Sequence, residues 1–214
     1  MSEAIPVDIR DTDNPDGRAR LLSAAAAEFS RRGFSGASIA AIARGAGVGK
    51  STVFHHFESK DALYLAVIRE AAAEFGQTLN TVLSITEDPG RCIAEFQRRH
   101  LAHLQRNAEV ARLVLRELQE PFDERCETLV RDVLSPNFRR LVGYLKEAAE
   151  AGLIRSSLDP AVAALTLLGA NVLYFQSRAA LAVLPDQDLA DDPDSFARAV
   201  SDVVFQGLAK RGKQ

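Results

Sequence analysis

Three glycines within five residues, Gly45-Ala-Gly-Val-Gly49, separate two short stretches of helical period in this chain. Two short helices must therefore meet at a sharp turn. On the first side, Ile39, Ile42, Ala43 and Ala46 recur at the i, i+3, i+4, i+7 spacing of a helix with one buried face, and Ser38 stands at the N-cap position. This helix is expected to end near Gly45, with Gly47 in the left-handed conformation and Val48 as an apolar plug in the turn. The second helix is expected over 49–55, with Val53 and Phe57 inward and Lys50, Ser51, Thr52 and His55 outward. No carboxylate interrupts that outward set. Such a face suits the major groove of DNA, where Lys donates to guanine acceptors and Thr offers thymine a hydroxyl or a methyl. Glu58-Ser59-Lys60 then opens a third helix, whose free amides and Lys60 are placed to hold a phosphate.

The same letters nearly spell a nucleotide-binding loop. The pattern G-x-x-x-x-G-K-[ST], aligned on Gly49-Lys50-Ser51, requires glycine at position 44, where this chain has Arg44. Context argues further against it. A phosphate loop follows a buried strand, whereas residues 38–43 have helical period, and no hydrophobic strand ending in Asp lies downstream. The chain also lacks an elbow-type nucleophile motif, a carboxylate pair in a recognisable setting and a dinucleotide glycine pattern, so no enzyme class is indicated.

From Arg18 to Leu63 the chain resembles the DNA-binding domain of the TetR family of bacterial transcriptional regulators. Ser38, Ile42, Ala43, Ala46, Gly47, Val48, Thr52, His56, Phe57, Ser59, Lys60 and Leu63 match or conservatively replace its T-x-x-x-I-A-x-x-A-G-V-S-x-G-T-L-Y-x-H-F-x-S-K-x-x-L pattern. Three positions depart from it. Gly49 stands for the usual Ser, Ser51 for a smaller Gly or Ala, and Phe54 for Tyr, which removes a hydroxyl that would contact phosphate. The resemblance implies an all-α protein with an N-terminal three-helix helix-turn-helix domain and a C-terminal helical domain for ligand binding and dimerisation. It implies a homodimeric regulator, acting as a repressor, that leaves a palindromic operator when a small molecule enters the helical body. Lys50, Thr52 and His55 are then the expected base readers, with Ser51 beside them, and Ser38, Arg44, His56 and Lys60 the phosphate holders.

Charge fits this division when counted by segment. The whole chain is slightly acidic, at −3, which alone would argue against a nucleic-acid partner. Residues 17–60, however, hold seven basic residues against two acidic ones, a local charge of +5, while the rest is acidic. A basic head on an acidic body suits a protein that meets DNA with one end. The boundaries expected are an arm over residues 1–16, acidic and Pro- and Gly-containing and read as disordered, a DNA-binding head over 17–62, and a body over 63–214. Cys92 and Cys126 are far apart without metal-ligand spacing, and the start of the chain does not read as a signal peptide, so a reducing cytoplasm is expected.

Past Leu63 the period is helical throughout. Helices are expected over 58–83, 91–105, 110–118 and 122–151, the last broken or kinked at Pro136, and another starts with Asp159 as N-cap and Pro160 at its first position. The apolar run Ala161 to Phe175 is interrupted by Thr166 and Asn171 and reads as a buried helix. The final helix carries an apolar stripe of Phe196, Val200, Val203, Val204, Gly207 and Leu208, with Arg198, Asp202 and Lys210 outside it. These two helices are the expected dimerisation elements, with Ala163, Ala164, Gly169 and Ala170 permitting close contact, although such stripes also serve monomer cores. Candidate lining for a small, largely apolar effector comprises Phe96, His100, His103, Leu104, Tyr144, Asn171, Tyr174, Phe175 and Arg178. His100 and His103 lack a third partner at metal-site spacing and read as ordinary helix histidines; no cofactor, metal or membrane partner is expected. Two other readings stay open: a nonspecific DNA-binding protein and, more remotely, a helical enzyme. Salt-sensitive binding without sequence preference would mark the first, and substrate turnover with indifference to DNA the second.

Overall fold

A computed structural model describes residues 15–85, 88–184 and 192–208. Ten α-helices and no strand occur among the described residues: α1 (Pro15–Gly36), α2 (Ile39–Ala46), α3 (Lys50–His56), α4 (Lys60–Leu83), α5 (Pro89–Arg106), α6 (Ala108–Glu117), α7 (Glu124–Thr128), α8 (Ser135–Glu150), α9 (Pro160–Leu181) and α10 (Pro193–Leu208). The expected arm lies almost wholly outside these residues, as does Lys210, while α1 already begins at Pro15. The chain divides into two compact units. One holds the described part of residues 1–71 together with Ala108–Val133; the other holds Ala72–Asn107 and the described residues from Leu134 onward. Helix α4 contributes its first half to the first unit and its second half to the other.

The first unit is built on α1, against which α2 and α6 both pack. Its interior comprises Leu21, Ala25 and Phe29 from α1, Ile42 and Ala43 from α2, Val53 from α3, and Leu63, Tyr64 and Ile68 from α4, all buried. At Gly33 a left-handed φ of 70° interrupts α1 and redirects the chain toward Ser38. Gly47 closes α2 in the left-handed helical conformation, with φ 71° and ψ 29°; its amide donates to Arg44 O at 3.2 Å and that of Val48 to Ala43 O at 2.9 Å. These bonds satisfy carbonyls that the end of α2 would otherwise leave open.

In the second unit α5 packs on α10 and α9, and α8 packs on α9. Its core joins Leu79 and Val82 of α4, Ile93 and Phe96 of α5, Leu141 and Leu145 of α8, and Ala164 and Leu167 of α9. Asp159 caps α9 as the sequence predicts, its Oδ1 accepting from the amides of Ala161 at 2.7 Å and Val162 at 3.2 Å. The pair Asp88-Pro89 does the same for α5, with Asp88 Oδ1 accepting from Gly90 N at 2.9 Å, so that helix starts two residues before the expected Arg91.

Several expectations are corrected. The helix expected over 122–151 is interrupted at Pro136 as expected, but the interruption begins earlier: Asp123 caps the short α7, a π-helical turn follows over Leu129–Leu134, and α8 restarts with Pro136 in its first turn. A proline has no amide to donate, so it is accommodated where a new helix needs none. Helix α9 is also not a wholly buried helix. Ala163, Ala164, Leu167, Asn171 and Tyr174 face inward, but Val162, Leu165 and Leu173 are each more than 60% exposed. On α10 the stripe is split likewise: Val204 and Phe205 pack on the core while Val203 is 72% exposed.

The turn at Gly47 gives a direct prediction. Its Cβ position meets nothing within 4 Å, so replacement by Ala introduces backbone strain without a clash. Gly47→Ala is expected to destabilise the fold by about 1–2 kcal/mol, the cost of an L-residue in the left-handed region. Urea denaturation followed by circular dichroism measures this, and Gly47→Asn should lose less.

Candidate nucleic-acid interface and the buried polar clusters

Helix α3 is only seven residues long, and its orientation depends on what it buries. Val53 and Phe57, on its inward side, are almost wholly buried. With about 100° between successive residues, this leaves Ser51 and His55 pointing away from the core, Lys50 and Phe54 on one flank, and Thr52 and His56 on the other. Lys50, Ser51, Phe54 and His55 are exposed, whereas Thr52 and His56 are half-buried. Gly49 is the N-cap and carries no side chain to cap with.

The four expected phosphate holders differ in their surroundings. Arg44 is exposed in the last turn of α2. Ser38 occupies the N-cap of α2, but its side chain makes no capping bond; its backbone amide is instead hydrogen-bonded to the Glu28 carboxylate. Glu28, ion-paired with Arg31 and, at 3.3 Å, with Arg32, is held below the usual carboxylate pKa, chiefly by the Arg31 hydrogen bond. Lys60 Nζ lies 4.7 Å from the centre of the Phe34 ring and donates to Ser35 O at 3.4 Å, so it is held beside the end of α1. Ser59 rather than Glu58 opens α4, its Oγ accepting from Ala62 N at 3.0 Å. His56 Nε2 is buried without a hydrogen-bond partner, and its ring stands edge-on to that of His55.

A buried ionic cluster ties α4, α6 and α7 together within this unit. Tyr64 donates its hydroxyl to Glu117 Oε2 at 2.9 Å, and Arg125 Nε donates to Glu117 Oε1 at 2.8 Å. The Arg125 guanidinium sits 4.0 Å from the centre of the Phe34 ring, and Tyr64 meets Phe29 and Phe34 edge-on, each at 5.2 Å. Burial pushes the Tyr64 hydroxyl pKa up, and its bond to Glu117 adds to the effect. Breaking such a pair leaves an uncompensated buried charge, which costs about 3–5 kcal/mol in typical cases. Sequence reading missed this cluster, because its members are 53 and 8 positions apart and nothing in either spacing marks them as partners.

In the second unit the candidate effector residues fall into separate surroundings. His100 and His103 both lie against Phe75, at 5.0 and 5.3 Å between ring centres, and His100 stacks on Phe96. Asn171 donates to Gln97 O at 2.9 Å and lies 3.1 Å from His100 Nδ1, while Gln97 Nε2 donates to Leu167 O at 3.0 Å. The structure therefore brings together Phe96, His100 and Asn171 and adds Gln97, a residue that sequence reading passed over because a helical glutamine usually lies at the surface. Leu104 is buried on the same helix as the two histidines. Tyr144 shares a hydrogen bond with the Cys92 thiol, Tyr174 stacks on Phe196 at 4.1 Å, Phe175 is half-buried and Arg178 is exposed. Among the described residues no three His, Cys, Asp or Glu side chains gather as a metal site would require.

The two units thus pair a basic helix-turn-helix head with a helical body that has a polar cluster in its core. Residues 21–67 match the profile described as bacterial regulatory proteins of the tetR family. The transcriptional regulatory protein RaaS of Mycobacterium tuberculosis is 30% identical over 162 residues, covering 74% of this chain and 71% of that protein. The chain belongs to the TetR family. It is accordingly a DNA-binding transcriptional regulator. The transcriptional regulator BetI of Brucella anthropi is 39% identical over 80 residues, 37% of this chain, and the match spans only 41% of BetI. Among solved structures, the regulator FadR from Bacillus subtilis, in complex with stearoyl-CoA, superposes with a TM-score of 0.75 at 18% identity, covering 88% of this chain and 98% of that one. AibR, in complex with isovaleryl coenzyme A and operator DNA, gives 0.68 at 21% identity, with coverages of 88% and 98%. These two show the TetR fold over nearly the whole described chain.

The polar cluster makes a prediction about pH. Burial, with a smaller contribution from His103, pushes the His100 pKa from 6.5 down to about 3, and His103 is lowered in the same direction. The unfolded chain takes up a proton on each near pH 6.5, so stability complete above that pH is lost as pH falls toward the folded values. The Glu74 and Glu95 carboxyls are shifted below 4.5 and contribute only at lower pH. Between pH 6.5 and 5.5 the unfolding free energy is expected to fall by about 1 kcal/mol on account of His100, with a further loss of the same sign from His103. Urea titrations across that range measure the slope, and His100→Gln should reduce it.

Proposed function

We propose that this protein is a homodimeric, ligand-responsive repressor that reads a roughly palindromic operator with α3 and is released when a small, largely apolar effector occupies the helical body. The observation that carries the reading is the α3 face, where Lys50, Ser51 and His55 stand exposed without a carboxylate while Val53 and Phe57 anchor the helix behind them. Lys50, Ser51, Thr52 and His55 read base edges. Ser38, Arg44, His56 and Lys60 hold phosphates, His56 after a local shift that exposes its Nε2. The head is residues 17–62 and the regulatory body 63–214; within the body Glu117 ties α6 and α7 to Tyr64 at the start of α4, and the Arg125 guanidinium reaches Phe34 of the head.

The exposed side of α9 supports a dimer. Val162, Leu165, Gly169 and Leu173 recur at helical spacing along one face, and three large apolar side chains left in water there are costly, since burying each is worth about 1.5–3 kcal/mol. A second copy of the same face, joined by Val203 of α10, covers them about a two-fold axis. Two recognition helices would then enter successive major grooves about 34 Å apart. In the body, Phe96, His100 and Asn171, with His103 and Leu104 on the same helix as His100, provide apolar walls with a few polar groups, which suits a ligand with an apolar body and a small polar end, whereas Tyr144, Tyr174, Phe175 and Arg178 lie in other surroundings and are its outlying candidates. Release requires only that the ligand prefer the non-binding head spacing, and a preference of about 1–3 kcal/mol changes DNA affinity 5- to 150-fold. The protein works in the bacterial cytoplasm.

A footprint on DNA flanking its own gene tests the central claim. A protected palindrome is expected with the wild type, with relaxed preference at one base position per half-site in Lys50→Ala and uniformly weaker binding to all sequences in Lys60→Ala. Salt-sensitive binding without any protected sequence would favour the nonspecific reading instead. Leu165→Glu combined with Leu173→Glu is expected to give a folded monomer by light scattering, with operator affinity reduced at least tenfold; a dimer that persists would place the interface elsewhere.

A further inference from the structure

Phe54 is 53% exposed on α3, although a large apolar side chain on a seven-residue helix has every reason to turn inward. Its inward places are taken: Val53 precedes it, Phe57 follows, and both are buried. The side chain therefore stands on the same flank as Lys50, one turn further along, with Ser51 and His55 beside it. Those neighbours on α3 are one cation, Lys50, and two hydrogen-bonding groups, with no acid on the helix, which favours nucleic acid over an apolar protein surface as the occupant of this face. Along a major groove the apolar feature presented by base edges is the thymine 5-methyl group, and an aromatic ring projecting from a recognition helix is a recognised partner for it.

We infer that Phe54 is a specificity-determining residue that reads a thymine through its 5-methyl group. This rests on the reading of α3 as the base-contacting helix and adds a selectivity that Lys50, Ser51 and His55, all hydrogen-bonding groups, do not supply. Two features sharpen it. Phe54 has no hydroxyl, so it neither donates to phosphate nor accepts from a base, and its contribution is confined to apolar contact. Lys50 and Phe54 are separated by about 6 Å along the helix axis, less than two base-pair steps of about 3.4 Å. The thymine therefore lies within two base pairs of the position that Lys50 reads. Thr52 also carries a methyl, but on the opposite flank and half-buried, so the two side chains address different bases.

The test uses the full-length protein and an operator obtained by selection of bound fragments. Each thymine of one half-site is replaced in turn by deoxyuridine, which keeps every base-pairing and groove hydrogen bond and removes only the 5-methyl group. Affinity is measured by fluorescence anisotropy for the wild type, Phe54→Ala and Thr52→Ser. One substitution, within two base pairs of the Lys50-dependent position, should weaken wild-type binding about fourfold, the worth of one buried methyl group, and roughly fifteenfold when made in both half-sites. Phe54→Ala should bind the thymine and deoxyuridine operators equally, and Thr52→Ser should keep the wild-type sensitivity. Because Phe54 is exposed, an unchanged melting curve is expected for its variant. Selective binding with no methyl-sensitive thymine, or a sensitivity that persists in Phe54→Ala or vanishes in Thr52→Ser, overturns the assignment alone. Failure to select any sequence overturns the parent reading of α3 and this one with it.

Discussion

The left-handed turn at Gly47 is the constraint on which the head depends. Helices α2 and α3 are eight and seven residues long, too short to be stable by themselves, and each must be held by what it buries. The turn directs α3 so that Val53 and Phe57 reach the same interior as Ile42 and Ala43, and the bond from Val48 N to Ala43 O closes α2 in the same stroke. Once those inward positions are taken, the outward ones follow from helical geometry alone. The polar face of α3 and the exposed Phe54 are both consequences of two buried side chains and one permissive glycine.

Polar burial distinguishes the two units. In the first, a charged pair is sealed under aromatic rings: Glu117 accepts from Tyr64 and Arg125, and Phe34 covers the guanidinium. Ionic clusters of this kind often add little net stability compared with an apolar replacement, but they penalise every arrangement in which one partner is lost. Joining α4 to α6 and α7 by such a cluster therefore favours discrete arrangements over gradual sliding, a property that a switch between two states requires. In the second unit the buried groups are neutral amides and a histidine held neutral by burial, a weaker tie in which Gln97 Oε1 and Asn171 Oδ1 have no protein partner. One unit is built to hold its geometry, and the other leaves acceptor capacity in its core.

What the sequence discloses depends on how local the cause is. The Gly47 turn, the cap at Asp159 and the restart at Pro136 are set by residues within a few positions of one another, and all three are legible. The same Asp-Pro signal at Asp88-Pro89 starts α5 two residues before the Arg91 expected from its period, so the cap rule is the better guide to that boundary. Tertiary causes are less visible. The apolar character of α9 announces burial without saying that Val162, Leu165 and Leu173 face away from this chain's own core. The partnership of Tyr64 with Glu117 spans 53 positions. Phe54 is a different case: the sequence marks it only by the hydroxyl it lacks, and its exposure becomes visible once Val53 and Phe57 fill the inward face.

Exposure of apolar groups in each of the two units has a common logic. Both Phe54 and the outer face of α9 are left in water although each helix had neighbouring inward positions filled by other apolar residues. A soluble chain tolerates single exposed apolar residues, but a row of them at helical spacing has a cost that only a further surface offsets. For α9 the row is broad and carries no charge among Val162, Leu165, Gly169 and Leu173, which suits a surface of the same kind and hence another copy of itself. For α3 the apolar element is a single ring among cationic and hydroxyl groups, which suits a surface that is mostly polar with isolated methyls. The composition around each exposed side chain, rather than its exposure, is what separates a protein partner from a nucleic-acid one.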